Sequence, residues 1–174
     1  MTAPERPAPL RKTGTLPDHA RAARERKRAE AVALGIDDAF ISRLVDEFYT
    51  RIRADALLGP IFTAHVADWD AHLVRLKQFW RSVLHSSGEF TGNPMRTHMA
   101  LPPLGRAHFA HWLDLFYATL ADIGAGTAAA AEVGKRARMI ADSLLTGIAT
   151  RDEGLAGTRA GAGLPWPPAA ENRT

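Results

Sequence analysis

An all-α fold is expected from three features of the sequence. Apolar residues recur every three or four positions through several long segments. No stretch of useful length alternates apolar and polar residues as a strand does. Gly, Pro and Asn-Pro punctuation divides the helical segments from one another.

The elements follow in order. Residues 1–17 hold Pro4, Pro7, Pro9, Pro17 and Gly14 and are expected to be disordered. His19 to Leu34 is Ala/Arg/Glu-rich and can form a helix with a thin apolar face, stopped by Gly35. Asp37 is the N-cap of the first strongly amphipathic helix, whose stripe is Phe40, Ile41, Leu44, Val45, Phe48 and Ile52, with Tyr49 at its edge. Gly59-Pro60 breaks the chain, and Ile61-Phe62 follow in a short irregular piece. Asp68 caps the next helix, on which Trp69, His72, Leu76, Phe79, Trp80 and Val83 share one face. His72 therefore points with the apolar residues, away from the charges. Ser86-Ser87-Gly88 ends that helix.

The segment Asn93-Pro94-Met95-Arg96-Thr97-His98-Met99-Ala100-Leu101-Pro102-Pro103-Leu104 starts like a helix and cannot continue. Asn93 suits the N-cap and Pro94 the first helical turn, while Pro102-Pro103 pushes Leu101 out of the helical region. A single-turn helix results, with His98 near its end among Met95, Met99, Leu101 and Leu104. A further helix runs from about Arg106 to Ile123 and buries Phe109, Trp112, Leu113, Phe116, Leu120 and Ile123. The last, from Thr127 to about Thr150, buries Val133, Ala137, Ile140, Ala141, Leu144 and Ile148. From Asp152 the chain is rich in Gly and Pro and is expected to be a flexible tail. The organisation is therefore a basic, flexible extension over 1–35, one domain over 36–151, and a flexible tail over 152–174.

Composition narrows the function. The 174 residues carry 46% hydrophobic and 24% charged side chains, the balance of a globular protein. With no cysteine there are no disulfides, thiolate zinc sites or iron–sulfur clusters. No run of eighteen apolar residues exists and Met1 to Lys12 lacks an apolar core, so neither a membrane span nor a signal peptide is expected, and the expected location is the cytoplasm. The net charge of +3 is uneven. Residues 1–36 carry eight Lys/Arg against four acidic residues, whereas residues 37–151 carry twelve of each. A neutral body argues against a dedicated nucleic-acid-binding domain. Phosphate loops, His-Glu-x-x-His and Gly-x-Ser-x-Gly are absent. His108 and His111 lie three apart on the polar side of a helix and are read, with His19, His65 and His85, as surface residues.

What remains is a set of large apolar side chains from several elements, with His72, His98, Tyr49 and Trp112 among them. Two readings stay open on pattern alone. One is an ordinary core with a satisfied Tyr, His and Trp; the other is a pocket for a planar apolar cofactor whose metal takes an axial histidine.

Phe48-Tyr49, Leu58-Gly59-Pro60-Ile61-Phe62, Trp69-x-x-His72-x-x-x-Leu76-x-x-Phe79-Trp80, His98-x-x-Leu101-Pro102-Pro103-Leu104 and Phe109-x-x-Trp112-Leu-x-x-Phe116 together resemble the group III truncated haemoglobins. The resemblance spans roughly residues 36–150. It implies a shortened globin fold, a two-over-two helical sandwich around a haem b (iron protoporphyrin IX), with His98 as the proximal iron ligand. Phe62, Leu76, Phe79, Met95, Leu101 and Phe109 would line the haem cavity, and Arg75, Arg96 and Arg106 are candidates for its carboxylates. Tyr49 and Trp112 would donate hydrogen bonds on the distal side, with His72 as gate or weak distal contact in preference to a direct iron ligand. Tight O2 binding follows, with NO, CO, cyanide and peroxide as further ligands. The uses compared are oxygen transport or sensing, and NO or peroxide detoxification fed by a separate reductase. A monomer is expected. The alternative is a haem-free helical interaction module whose basic arm binds nucleic acid.

Overall fold

The computed structural model describes residues 16–169. It is all-helical among the described residues. The elements are α1 (Leu16–Ala33), α2 (Asp38–Ala54), α3 (Gly59–His65), α4 (Trp69–His85), α5 (Pro94–Met99), α6 (Arg106–Asp122) and α7 (Thr127–Glu153), followed by a 3-10 helix over Gly154–Gly163.

Local chemistry sets the boundaries. The Asp37 carboxylate accepts from the Phe40 amide at 2.7 Å and starts α2. Asp68 does the same for α4, accepting from the Ala71 amide at 3.0 Å, and Asn93 starts α5 by accepting from the Arg96 amide at 3.0 Å. The α5 helix ends at Met99, ahead of Pro102-Pro103, as their ring chemistry requires. The piece expected to be irregular after Pro60 is instead the short helix α3, with Pro60 in its first turn, where a missing N–H costs nothing.

Helices α2 and α4 pack together, as do α6 and α7, and the two pairs meet through α2 and α6. The α2 stripe is fully inside: Phe40, Ile41, Leu44, Val45, Phe48, Tyr49 and Ile52 are all buried. At the centre, Trp80 stacks on Phe116 at 5.1 Å, and Trp112 stacks on the same ring at 5.2 Å. Phe48 meets Trp112 and Phe116 edge-on, the arrangement that ring quadrupoles favour.

Three expectations change. Residues 16–33 are helical and lie against α4, and α1 is pinned to α2 by Arg28–Asp38 at 2.7 Å. The small face that looked thin allows this close approach, with Ala31 buried; residues 1–15 lie outside the described part. His85, read as a surface residue, is 2% exposed and donates from Nε2 to the Ile36 carbonyl at 2.7 Å, because the α1–α2 corner folds over the end of α4.

The third change is at the C-terminus. The expected flexible tail is instead a folded segment over 154–169; residues 170–174 lie outside the described part. Gly157 and Gly161 press on α7 so closely that a Cβ on either would collide with Ala149 or Asp142. Arg138, 3% exposed, reaches across to the carbonyls of Leu164, Gly161 and Ala162 at 3.0–3.1 Å. A buried guanidinium needs acceptors, and this segment's backbone supplies them.

Candidate functional site

A cavity of about 460 Å³ opens between the two helix pairs. That is ample for a ligand of cofactor size. Each wall has a clear source. Tyr49 comes from α2; Leu58, Ile61 and Phe62 from the α2–α3 corner and α3; His72, Arg75, Leu76 and Phe79 from α4. His98 comes from α5, Leu101 and Leu104 from the turn beyond it, Phe109 and Trp112 from α6, and Ile140, Ala141 and Leu144 from α7. Leu76 and Phe79 of α4 are half-buried and face this space, while Trp80 and Leu84 reach the core.

His98 is fixed by its own helix. Its Nδ1 lies 2.7 Å from the Pro94 carbonyl oxygen, one turn back. An oxygen acceptor requires a proton on Nδ1, so the neutral ring keeps its lone pair on Nε2. The ring lies 6.5 Å from that of Phe109, both against the cavity.

Tyr49, His72 and Trp112 line the same space. Burial raises the Tyr49 pKa, so the phenol keeps its proton and remains a donor. Burial, and then the Arg75 charge, lower the His72 pKa, so the ring is neutral. Its Nε2 is buried and meets no hydrogen-bond partner in the protein. His72 is instead surrounded by rings, with Trp69 at 5.7 Å, Tyr49 at 6.0 Å and Phe62 at 6.4 Å. An uncompensated buried polar atom costs stability unless a ligand satisfies it. Among the described residues no cluster of three or more His, Cys, Asp or Glu side chains can hold a metal by itself. A metal here would have to arrive with most of its own donors, as in a macrocycle.

Of the residues expected around the cavity, three lie elsewhere. Met95 lies against α7, where a Cβ on Gly147 would come within 2.6 Å of its Sδ and Cε. Arg96 is exposed and off the lining. Arg106 is also withdrawn, since its guanidinium bonds the Ala160 and Gly163 carbonyls at 3.3 and 3.4 Å. Arg75 remains on the lining, its guanidinium 5.7 Å from the Phe90 ring. Two histidines read as surface residues, His65 and His108, also border the cavity. Nothing in their spacing separates them from solvated histidines. Ile140, Ala141 and Leu144 were legible as part of a buried stripe, but a stripe does not say whether it faces core or cavity.

Among known proteins, the chain matches the family model described as bacterial-like globin over residues 32–145. It is 34% identical over 89 residues to the group 3 truncated hemoglobin ctb of Campylobacter jejuni, an alignment covering 49% of this chain and 70% of that one. The crystal structure of group III truncated hemoglobin from Campylobacter jejuni superimposes with a TM-score of 0.59 at 33% identity, over 63% of this chain and 88% of that one.

Proposed function

The chain belongs to the bacterial-like globin family, among the group III truncated haemoglobins, and from that premise we propose a haem b protein that holds O2 tightly between His98 on one side and Tyr49 and Trp112 on the other. Membership of the globins makes it a haem-binding protein of small diatomic ligands. The observation that carries the finer reading is the His98 Nδ1 bond to Pro94, because it leaves one unprotonated nitrogen in a largely apolar cavity. The His72 Nε2, buried without a partner, is the second mark of a site shaped for a ligand.

The bound haem supplies an iron with an open coordination position for a diatomic ligand. His98 would hold that iron through Nε2, its orientation and basicity set by the Pro94 carbonyl. Leu76, Phe79, Leu101, Phe109 and Phe62, all on the cavity lining, would keep water from the bound cofactor. Arg75 is the cation best placed for a haem carboxylate. Tyr49 and Trp112 bring one O–H and one N–H to the distal side. Each such donor is worth about 1–3 kcal/mol toward a partly negative ligand atom in a dry pocket. His72, neutral, adds a weak contact or a gate.

Two donors favour retention over release, which suits detoxification better than transport. Conversion of NO and O2 to nitrate consumes one electron per turnover, to be delivered by a separate reductase; peroxide is the other candidate substrate. No helix among the described residues is long and apolar enough to cross a membrane. Displacement of O2 by CO in a stopped-flow instrument tests the retention claim. Slow O2 release supports it, and release as fast as from a donor-free pocket contradicts it. Mixing the O2-loaded protein with NO, followed by repeated reduction, tests turnover.

A further inference from the structure

Asp55 and His111, the latter read from the sequence as a surface residue, lie 56 residues apart. In the structure their side chains are joined, with His111 Nε2 2.7 Å from Asp55 Oδ2. A carboxylate only accepts, so His111 donates. The other carboxylate oxygen accepts from the amides of Leu57 at 3.0 Å and Leu58 at 2.8 Å. The Asp55 side chain is 15% exposed. Burial alone would raise its pKa, but the Leu58 and Leu57 amides and His111 prevail and hold it below the usual carboxylate range.

The position of this pair gives it a role. Asp55 closes α2, six residues after Tyr49, and organises the corner into α3. Leu58, Ile61 and Phe62, on and beyond that corner, line the cavity. His111 sits immediately before Trp112 on α6. The corner has little freedom, since a Cβ on Gly59 would lie 2.9 Å from the Arg53 carbonyl oxygen. A bond from such a corner to His111 therefore fixes how far α6 can turn about its own axis. That rotation decides where the Trp112 indole N–H points. A second polar tie between α2 and α6, Arg51–Asp122, is more exposed and lies at the last residue of α6, away from the cavity.

We propose that the Asp55–His111 pair is a positioning clasp for the distal half of the cavity. It holds the α2–α3 corner against α6, so that Trp112 and Tyr49 face the ligand position together. The proposal rests on the distal roles given to those two residues above.

The test uses the haem-loaded full chain, CO as the probe ligand, and the variants His111→Ala and His111→Gln. The CO stretching band reports hydrogen-bond donation onto the ligand directly, which thermal stability does not. His111→Ala is expected to shift that band to higher frequency and to raise O2 dissociation roughly three- to tenfold, a partial loss of one donor. His111→Gln can still donate to Asp55 and should restore both values. An unaltered band and rate in haem-loaded His111→Ala contradicts the clasp alone. Equal shifts in the Ala and Gln variants contradict it as well, pointing to packing instead. A wild type with no Soret band after haem-supplemented expression overturns the cofactor reading, and the clasp's purpose with it.

Discussion

The Nδ1 of His98 and the carbonyl oxygen of Pro94 are 2.7 Å apart on a helix only six residues long. The contact is possible because α5 is complete for just long enough to bring residue 98 back over residue 94. Asn93 starts the helix and Pro102-Pro103 forbid its continuation, so the ring is held at the end of a short, rigid element.

Tyr49→Phe removes the phenol that burial keeps protonated. O2 dissociation should rise about ten- to a hundredfold, the range for loss of one strong donor. Stopped-flow O2 displacement measures it, and an unchanged rate rejects the distal role of Tyr49.

The His72 pKa is lowered from its ordinary value of 6.5. As pH falls below that value, the unfolded chain takes up a proton before the folded one, so stability declines toward the folded pKa and levels off below it. Thermal unfolding of the apoprotein between about pH 7.5 and 5 should show this decline, and His72→Leu should flatten it. Other histidines contribute equally to both proteins. Parallel pH profiles for wild type and variant would show that His72 is not held neutral.

Gly147 lies inside α7, where Ala would favour the helix by about 1 kcal/mol. Its place is explained by space, since Met95 fills the room a Cβ would take. The thioether can swing away from one methyl group, so Gly147→Ala should be nearly neutral. The two further methyls of Gly147→Val should displace α5 and speed haem loss to an apomyoglobin acceptor. Adding Met95→Ala should restore retention, and equal haem loss in wild type and Gly147→Val would reject this link between α7 and the proximal helix.

Arg138 and the C-terminal segment should behave as one structural unit. Arg138→Met removes the guanidinium from three carbonyls, of which Gly161 keeps the Leu164 amide, and should cost about 2–4 kcal/mol, lowering Tm by roughly 5–10 °C. Truncation after Glu153 should cost a similar amount, because it removes the carbonyls that Arg138 bonds and bares the face of α7 that Gly157 and Gly161 cover. Calorimetry on both proteins checks this. A truncated chain melting with the wild type would mean the segment contributes nothing.

The parts legible in the sequence are those where one residue type acts within a few positions of itself. The α2 stripe, the caps at Asp37, Asp68 and Asn93, and the stop at Pro102-Pro103 are of this kind. Much of the cavity was legible only through the family resemblance, whose LGPIF and HxxLPP pieces place Phe62, His98 and Leu101 in a specific order. The rest depends on partners distant in sequence. His85 needed Ile36 and His111 needed Asp55, 49 and 56 residues away. Periodicity could not aim Met95, whose direction is decided by a gap at Gly147. The Gly-rich C-terminus looked like a tail because its packing uses bare backbone, which leaves no pattern of side chains to read.

The most direct test of the central claim is the absorption spectrum of His98→Gly after haem-supplemented expression, with and without free imidazole. The wild type should show a Soret band and retain haem on gel filtration. The variant should lose most of its haem, and imidazole in the buffer should restore binding by filling the space of the missing ring. A His98→Gly protein that keeps the wild-type spectrum without imidazole would contradict the account.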